Sequence, residues 1–421
     1  MMRSISLTKT EKSWIMYDIG NSAFILMLST IIPIYFNSLA GEDLSSVDYL
    51  AYWGYAASIA TVACAVLGPI LGTYSDRKGM KIKMFVGVLG VGIIGCAALG
   101  FVNAWVSFLA VLIVTRLAYS LSLIFYDSMI VDVTKAERAD KISSAGYAWG
   151  YIGSCIPFVV CLVLILWCDS FGLTMGEATT ISMIVIAAWW LMASIPLIRV
   201  YKQSHYISKE ESEGALRVLA KTIGNARSEK KAFLFLIAFF FFIDGVYTII
   251  EMATAYGEAI GLDSTMLLIA LLITQIVAFP CTIAFGRFSS RFDASHLICA
   301  CIIAYIGITL YAVFLDNITE FFILACLVGM FQGGIQALSR SYFAKIIPPD
   351  RSGEFFGLMD IFGKGASFMG TMMVSFVSQA TGHMSLGIMS IVVLFVVGLV
   401  LFIKAASIPS NEERGPVTDA S

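Results

Sequence analysis

The sequence predicts an all-α integral membrane protein with twelve transmembrane helices in two pseudo-symmetric six-helix bundles. Three observations carry this prediction: the composition, the number of long apolar runs and the distribution of Lys and Arg. Of the 421 residues, 59% are hydrophobic and only 13% are charged, whereas a soluble domain carries about 25% charge. This composition excludes a soluble enzyme and a disordered chain. The net charge of −2 gives no basic footprint for nucleic acid.

Twelve apolar runs follow one another along the chain, each long enough for a spanning helix of about 20 residues. They are continuous rather than alternating, which favours helices over the strands of a membrane barrel. The longest loop separates two halves, so we expect an N-terminal bundle (1–199), a linker loop (200–231), a C-terminal bundle (232–406) and a tail (407–421). The runs cover about 14–37, 49–73, 84–102, 106–130, 143–168, 178–199, 232–256, 264–286, 295–315, 319–342, 355–379 and 386–405.

Loops with basic residues alternate along the chain with loops that have none. Of the 27 Lys and Arg, 25 lie at the chain ends or in every second loop; the loops between hold acids and no base. Because short cytoplasmic loops retain positive charge, we expect both termini in the cytoplasm. No cleavable signal is expected, since the first apolar run is too long for a signal-peptide core. The cysteines lie in or beside apolar runs and the histidines far apart, so we expect no metal site and no cofactor.

The loop after the second run carries a recognisable motif. Gly72, Asp76, Arg77 and Gly79 resemble the signature loop of the major facilitator superfamily, and a degenerate copy ends at Arg291, at an offset of 214 residues. The repeat indicates duplicated halves. We expect the Asp76 carboxylate to reach donors at the cytoplasmic end of a neighbouring helix and to hold the halves together. The alternative is an ordinary positively charged turn.

A closer resemblance rests on three stretches: YDIGNSAF at 17–24, DGVYT at 244–248, and the block from GGIQALSRS at 333–341 to EFFG at 354–357. They resemble the autophagy-linked vacuole-effluxer-like branch of that superfamily. The resemblance implies the major facilitator fold and a transporter whose characterised fungal relatives export amino acids from the vacuole. Bacterial relatives are largely without an assigned substrate. The fourth span keeps Arg116 of the superfamily pattern but departs from its small-residue ladder.

Ionisable residues within the spans are the first site candidates. A central charge in a bilayer costs about 2.5–3.5 kcal/mol, so such residues usually face a cavity or pair with one another. Asp360 and Lys364 have the spacing of a helical pair, either structural or in contact with substrate. Arg116 and Asp127 share a helix face but lie about 16 Å apart and cannot pair. The full set is Asp18, Arg116, Asp127, Asp244, Glu251, Asp360 and Lys364.

Two polar stripes and a few single polar residues complete the candidate pathway. Gln332, Gln336 and Arg340 form a stripe that suits a carboxylate ligand, or that joins helices by hydrogen bonds. A second stripe, on span seven, contains Asp244, Tyr247 and Glu251. Further candidates are Asn21, Tyr147 and Tyr151.

These residues predict a secondary active transporter that works by alternating access. The mixed charges favour a small polar or zwitterionic metabolite, amino acids first. We expect protons as the coupling ion, carried by Asp244 with Glu251 or Asp18, because a buried carboxyl can exchange a proton near neutral pH. Alternatives are an exporter or facilitator of an organic anion or drug, or a membrane receptor; we expect no enzyme. The expected setting is a monomer in the bilayer of a bacterial cytoplasmic membrane.

Overall fold

The protein is seen in a computed structural model that describes residues 7–44, 46–207, 224, 227, 229–259 and 263–409. Within these ranges the chain forms twelve long helices, and two of them have two segments. They are α1 (Lys9–Ser29 and Ile31–Ala40), α2 (Ser46–Ser75), α3 (Met80–Leu99), α4 (Trp105–Ser128 and Ile130–Val133), α5 (Ala136–Leu166), α6 (Met175–Val200), α7 (Lys230–Ala259), α8 (Ser264–Phe288), α9 (Ala294–Ala312), α10 (Ile318–Ile346), α11 (Ser352–Thr381) and α12 (Met384–Ala406).

The helices have the length and surface of membrane spans. Ten described helices are long and apolar enough to cross a bilayer, and the two segments of α1, bent by 40°, make an eleventh. The remaining helix, α11, packs against α2, α7 and α12. Large apolar side chains such as Ile94, Phe314 and Phe376 are 71%, 76% and 72% exposed, as expected of helices that face lipid. The predicted fold class is confirmed.

Two groups of six helices meet mainly along five of them. Helix α2 packs against α11, and α5 packs against α8 and α10. Gly72 of α2 lies against the backbone of Gly353 in α11, where a Cβ would overlap the Gly353 carbonyl oxygen. At the second contact between the halves, Gly286 of α8 lies against Ser144 of α5, and an added Cβ would overlap that of Ser144 at 2.7 Å. The repeat in the sequence thus corresponds to two related helix contacts.

The two ends of the bundle differ in charge. We call the end with Lys78, Lys135 and Arg351, where Glu11 bonds Thr134 and Asp76 bonds Gly353, the basic side, and the opposite end the acidic side. The first part of the predicted linker lies on the basic side, where the N–H of Ile207 donates to the carbonyl of Asp76 at 2.8 Å. The stretch 208–223 and the tail from residue 410 lie outside the described residues.

One predicted boundary is wrong in a way that matters for the site. Helix α5 begins at Ala136, seven residues before the start of the predicted apolar run at 143. The missed turns are polar because they pack at the contact between the halves rather than in lipid. Asp140, predicted to lie in a loop, is therefore a buried helical residue.

Candidate transport site

Arg340 of α10 reaches across the interface into the N-terminal half. Its Nη1 donates to Asp127 Oδ1 at 2.8 Å, and its Nη2 lies 3.4 Å from Asp18 Oδ2. Ser143 of α5 accepts from Nε through its hydroxyl at 2.9 Å and from Nη2 through its carbonyl at 3.0 Å. A guanidinium offers five donors in one plane, which allows a single side chain to join three helices of the opposite half.

Aromatic rings enclose the same guanidinium. Its carbon lies 4.3 Å from the ring centre of Tyr147, 4.5 Å from that of Trp14 and 5.5 Å from that of Tyr126. The Arg340 side chain is only 3% exposed. A cation over a desolvated ring gains about 2 kcal/mol. The rings and the carboxylates together hold a buried charge that would otherwise be costly. We call Arg340, Asp18, Asp127 and Ser143 the Arg340 cluster.

A cavity of about 150 Å³ lies between the halves beside this cluster. Asp127 and Arg340 line it, and so do Asp360 and Lys364 of α11. The lining thus carries two acids and two bases among mostly apolar side chains. The other lining residues are Leu123, Ile124, Tyr147, Phe239, Ile243, Tyr247, Gln336, Phe356, Met359 and Gly363.

The predicted pair of Asp360 and Lys364 is present as a salt bridge within α11. The thiol of Cys64 in α2 donates to Asp360 Oδ2 at 3.2 Å and lies 3.6 Å from Lys364 Nζ. Lys364 is 29% exposed and Asp360 is 14% exposed. The pair is therefore more accessible than the Arg340 guanidinium, and a solute in the cavity can contact it.

Asp76 makes the contact that its motif predicts. Its two carboxylate oxygens accept from the N–H groups of Gly353 and Glu354, at 2.8 and 2.9 Å, at the start of α11. Lys81 lies 3.4 Å from Asp76 and donates to Ser352 at 2.7 Å. Burial raises the pKa of Asp76 to about 6, although Lys81 and the two backbone N–H groups lower it. The contact is observed; its role in gating stays a prediction.

The other residues of the motif loop and of its degenerate copy shape the turn, stack on a neighbouring ring or lie at the surface. Gly79 has a φ of +70°, in the left-handed region that glycine adopts without strain. The Arg77 guanidinium stacks on the ring of Tyr74, 4.7 Å from its centre. Arg291, in the degenerate copy of the loop, is exposed.

Asp244 lies within the C-terminal half, buried between α7 and α11. Its Oδ1 accepts from the N–H of Gly370 at 2.9 Å and from the hydroxyl of Thr248 at 3.3 Å. Asp244 is not among the described residues that line the cavity. The side chain of Glu251 lies outside the described part of the chain.

The remaining candidates surround the cluster or lie further away. Asn21 donates to the carbonyl of Tyr17 at 3.1 Å and to Asp18 Oδ1 at 3.4 Å, so it positions Asp18. Tyr151 lies beside Tyr147, with 6.2 Å between ring centres. Gln332 is buried in α10. Arg116 is half-buried in α4, about 16 Å from Asp127 along the helix.

A further contact between the halves was not predicted. Asp140 of α5 accepts from the hydroxyl of Ser341 at 2.6 Å and from Lys345 at 2.6 and 2.7 Å. The hydroxyl of Ser143 donates to the carbonyl of Ala337 at 2.7 Å. The signal was available, because Ser341 and Lys345 repeat at four residues on one face of α10. It was missed because the charges near the predicted loop were interpreted only as residues that place this loop in the cytoplasm.

Comparison with known proteins gives the family. The family model described as "Vacuole effluxer Atg22 like" matches residues 131–413. The uncharacterized MFS-type transporter YxiO of Bacillus subtilis is 40% identical over 402 residues, which cover 94% of each chain. Autophagy-related protein 22 of Coccidioides immitis is 25% identical over 286 residues, which cover 61% of this chain and 47% of that protein.

The solved structures agree on the fold. The human organic anion transporter MFSD10 (TETRAN) superimposes with a TM-score of 0.72 at 13% identity, over 93% of this chain and 98% of that one. The apolar helices, the two packed halves and the sequence relatives describe an integral membrane protein of a transporter family. The chain belongs to the vacuole-effluxer-like branch of the major facilitator superfamily.

Proposed function

We propose that the protein moves a small zwitterionic metabolite, amino acids first, across a bacterial cytoplasmic membrane by alternating access. The observation that carries this proposal is the cavity between the halves, lined by Arg340 with Asp127 and by Lys364 with Asp360. A solute with one carboxylate and one ammonium group can find a partner of opposite charge for each. A simple anion that binds one of the bases would leave the acid of that pair without its partner, whereas the ammonium group of a zwitterion can replace the lost partner.

The size of the cavity supports a small solute. Its volume is about 150 Å³ in this conformation, whereas sites for drug-sized ligands measure about 300–1,000 Å³. The resemblance to fungal amino-acid exporters agrees with this choice. The chain spans about half the length of those fungal relatives. Their substrate is therefore assigned to this chain only as part of the proposal.

Alternating access needs contacts that form on one side and can separate. The contacts of Asp76 with Gly353 and of Arg340 with Asp127 both join the halves on, or towards, the basic side. We propose that the basic side faces the cytoplasm and is closed in this conformation. Transport would then require the two contacts to break together.

Counterflow in proteoliposomes tests the substrate class. Vesicles loaded with one unlabelled amino acid should accumulate the labelled form, whereas an organic anion without an amino group should not exchange. Lys364→Ala should raise the half-saturating concentration at least tenfold, because a bound carboxylate loses its cation. Lys404→Ala, an exposed base at the end of α12, serves as the control and should have no effect. Exchange of organic anions alone would contradict the zwitterion proposal.

We also propose that protons drive transport. Asp244 stays a candidate for the coupling residue, because it is a fully buried carboxyl near the middle of α7. Asp244→Asn should then abolish accumulation driven by a pH gradient while counterflow continues. Accumulation by this variant with an unchanged pH dependence would exclude Asp244 from the coupling step.

A further inference from the structure

Two polar side chains lie one helical turn beyond the cavity. Tyr151 follows Tyr147 by four residues on α5, and Gln332 precedes Gln336 by four residues on α10. Tyr147 and Gln336 line the cavity, and four residues of helix add about 6 Å. Because α5 starts and α10 ends on the basic side, both steps lead towards the acidic side of the bundle.

A glycine brings the two side chains together. Gly333, next to Gln332 on α10, lies against the ring of Tyr151, and an added Cβ would be 2.8 Å from Cε2 of that ring. Tyr151 also lies close enough to Tyr247 of α7 for an electrostatic interaction, and Tyr247 lines the cavity. Polar side chains from both halves therefore meet at the end of the cavity that faces the acidic side.

Neither Tyr151 nor Gln332 is fully bonded within the part of the chain that the structure describes. The hydroxyl oxygen of Tyr151 and the amide nitrogen of Gln332 are buried, and no described group forms a hydrogen bond with either atom. Gln332 is only 3% exposed. The large majority of buried polar side-chain atoms in proteins have a partner. Two exceptions beside one cavity indicate a place for polar groups of a ligand.

We propose that Tyr151 and Gln332 form a side-chain subsite of the transport cavity, which selects zwitterions that carry an amide side chain. The inference rests on the proposed function and narrows its substrate class. The charged groups of the amino acid bind the two ion pairs of the cavity, and its side chain extends towards the acidic side. An amide carries both donors and an acceptor, so it can pair with the amide of Gln332 through two hydrogen bonds and also bond the phenol of Tyr151.

Selectivity follows from the cost of leaving these groups unmatched. An aliphatic side chain of the same size would cover the phenol and the amide without bonding them, so both would stay buried and unpaired. Sites built to bond a polar group discriminate strongly against analogues that lack it, whereas apolar sites discriminate weakly. We therefore expect asparagine to bind more tightly than leucine, although the two side chains have nearly the same shape. Aspartate should also bind weakly, because its third charge would face two neutral groups.

Counterflow of labelled asparagine, leucine and aspartate in proteoliposomes tests the subsite. In the wild type we expect the half-saturating concentration of leucine to exceed that of asparagine by about tenfold. Gln332→Leu and Tyr151→Phe should each reduce this ratio by weakening the binding of asparagine and not that of leucine. Tyr55→Phe changes a tyrosine of α2 that is 63% exposed; it is the matched control and should keep the ratio.

Thermal unfolding of the protein without solute gives an independent readout. If Gln332 and Tyr151 bond a ligand and not the protein, their replacement by apolar groups of similar shape removes an unpaired buried group from the empty protein. Gln332→Leu and Tyr151→Phe should therefore unfold at temperatures no lower than that of the wild type. Lower unfolding temperatures in both variants would show that these groups bond within the protein and would overturn the subsite.

The transport outcomes separate the subsite from the proposed function. If amino acids exchange but leucine binds as tightly as asparagine, the subsite is wrong and the zwitterion proposal stands. The same conclusion follows if the preference for asparagine persists unchanged in Gln332→Leu and in Tyr151→Phe. Failure of every amino acid to exchange in wild-type vesicles would overturn the proposed substrate class, and the subsite with it.

Discussion

Two contacts hold the halves together by different means. Asp76 binds two backbone N–H groups at the start of α11, whereas Arg340 binds side chains from three helices. The first helix turn always presents unpaired N–H groups and a partial positive charge, so the Asp76 contact needs no particular partner side chain. Arg340 lines the cavity and Asp76 does not. Only the Arg340 contact can therefore respond to what the cavity contains.

The largest effect that separates the two contacts is expected from Arg340→Ala. Removing the base leaves Asp18 and Asp127 buried without their cation, and breaking a buried pair in this way costs about 3–5 kcal/mol. We expect a loss of that size in the free energy of unfolding by SDS at neutral pH.

Lys345→Ala is the control for this prediction. Lys345 also crosses to the other half and pairs with the buried Asp140, but Lys345 is 28% exposed. Water can reach Asp140 once Lys345 is removed, so we expect a smaller loss than in Arg340→Ala. Equal losses in the two variants would show that burial of Arg340 adds nothing to its contact.

The Asp76 contact should respond to pH. Burial raises its pKa from 3.8 to about 6, so the closed state binds the proton more tightly than a state with Asp76 in water. This contribution stabilises the closed state fully below pH 3.8 and is lost as the pH rises through 6. The shift corresponds to about 3 kcal/mol. The free energy of unfolding of the wild type should therefore exceed that of Asp76→Asn by more at pH 4.5 than at pH 7. A difference that does not depend on pH would contradict this prediction.

The sequence predicted the fold because the bilayer imposes it locally. A spanning helix must satisfy its own backbone groups and be apolar over its length, and both properties are visible in a single run of residues. The limits appear at α5 and α11. There, polar first turns with Asp140 and Glu354 pack against the other half, and an apolar criterion begins the helix too late.

The site was predicted in part. The pair of Asp360 and Lys364 depends only on helical spacing, and the Asp76 contact on a local motif, so both could be found along the chain. The partners of Arg340 lie 213 and 322 residues away. No local pattern specifies which carboxylates a buried guanidinium will meet, so the stripe ending at Arg340 was interpreted as a site for a carboxylate ligand, and two carboxylates of the protein occupy that position.

A smaller effect tests how closely the Asp76 contact is packed. Gly72→Ala should weaken it, because the added Cβ would overlap the Gly353 carbonyl oxygen, and overpacking of this kind costs about 1–3 kcal/mol. Gly87→Ala is the matched control: Gly87 also lies within a spanning helix, and a Cβ there meets open space. Both variants share the gain in helix propensity of up to about 1 kcal/mol, so their difference isolates the contact. We expect faster exchange of the Gly353 and Glu354 amides, which are bonded to Asp76, in Gly72→Ala alone when hydrogen exchange is read by mass spectrometry. Equal exchange in the two variants would contradict this prediction.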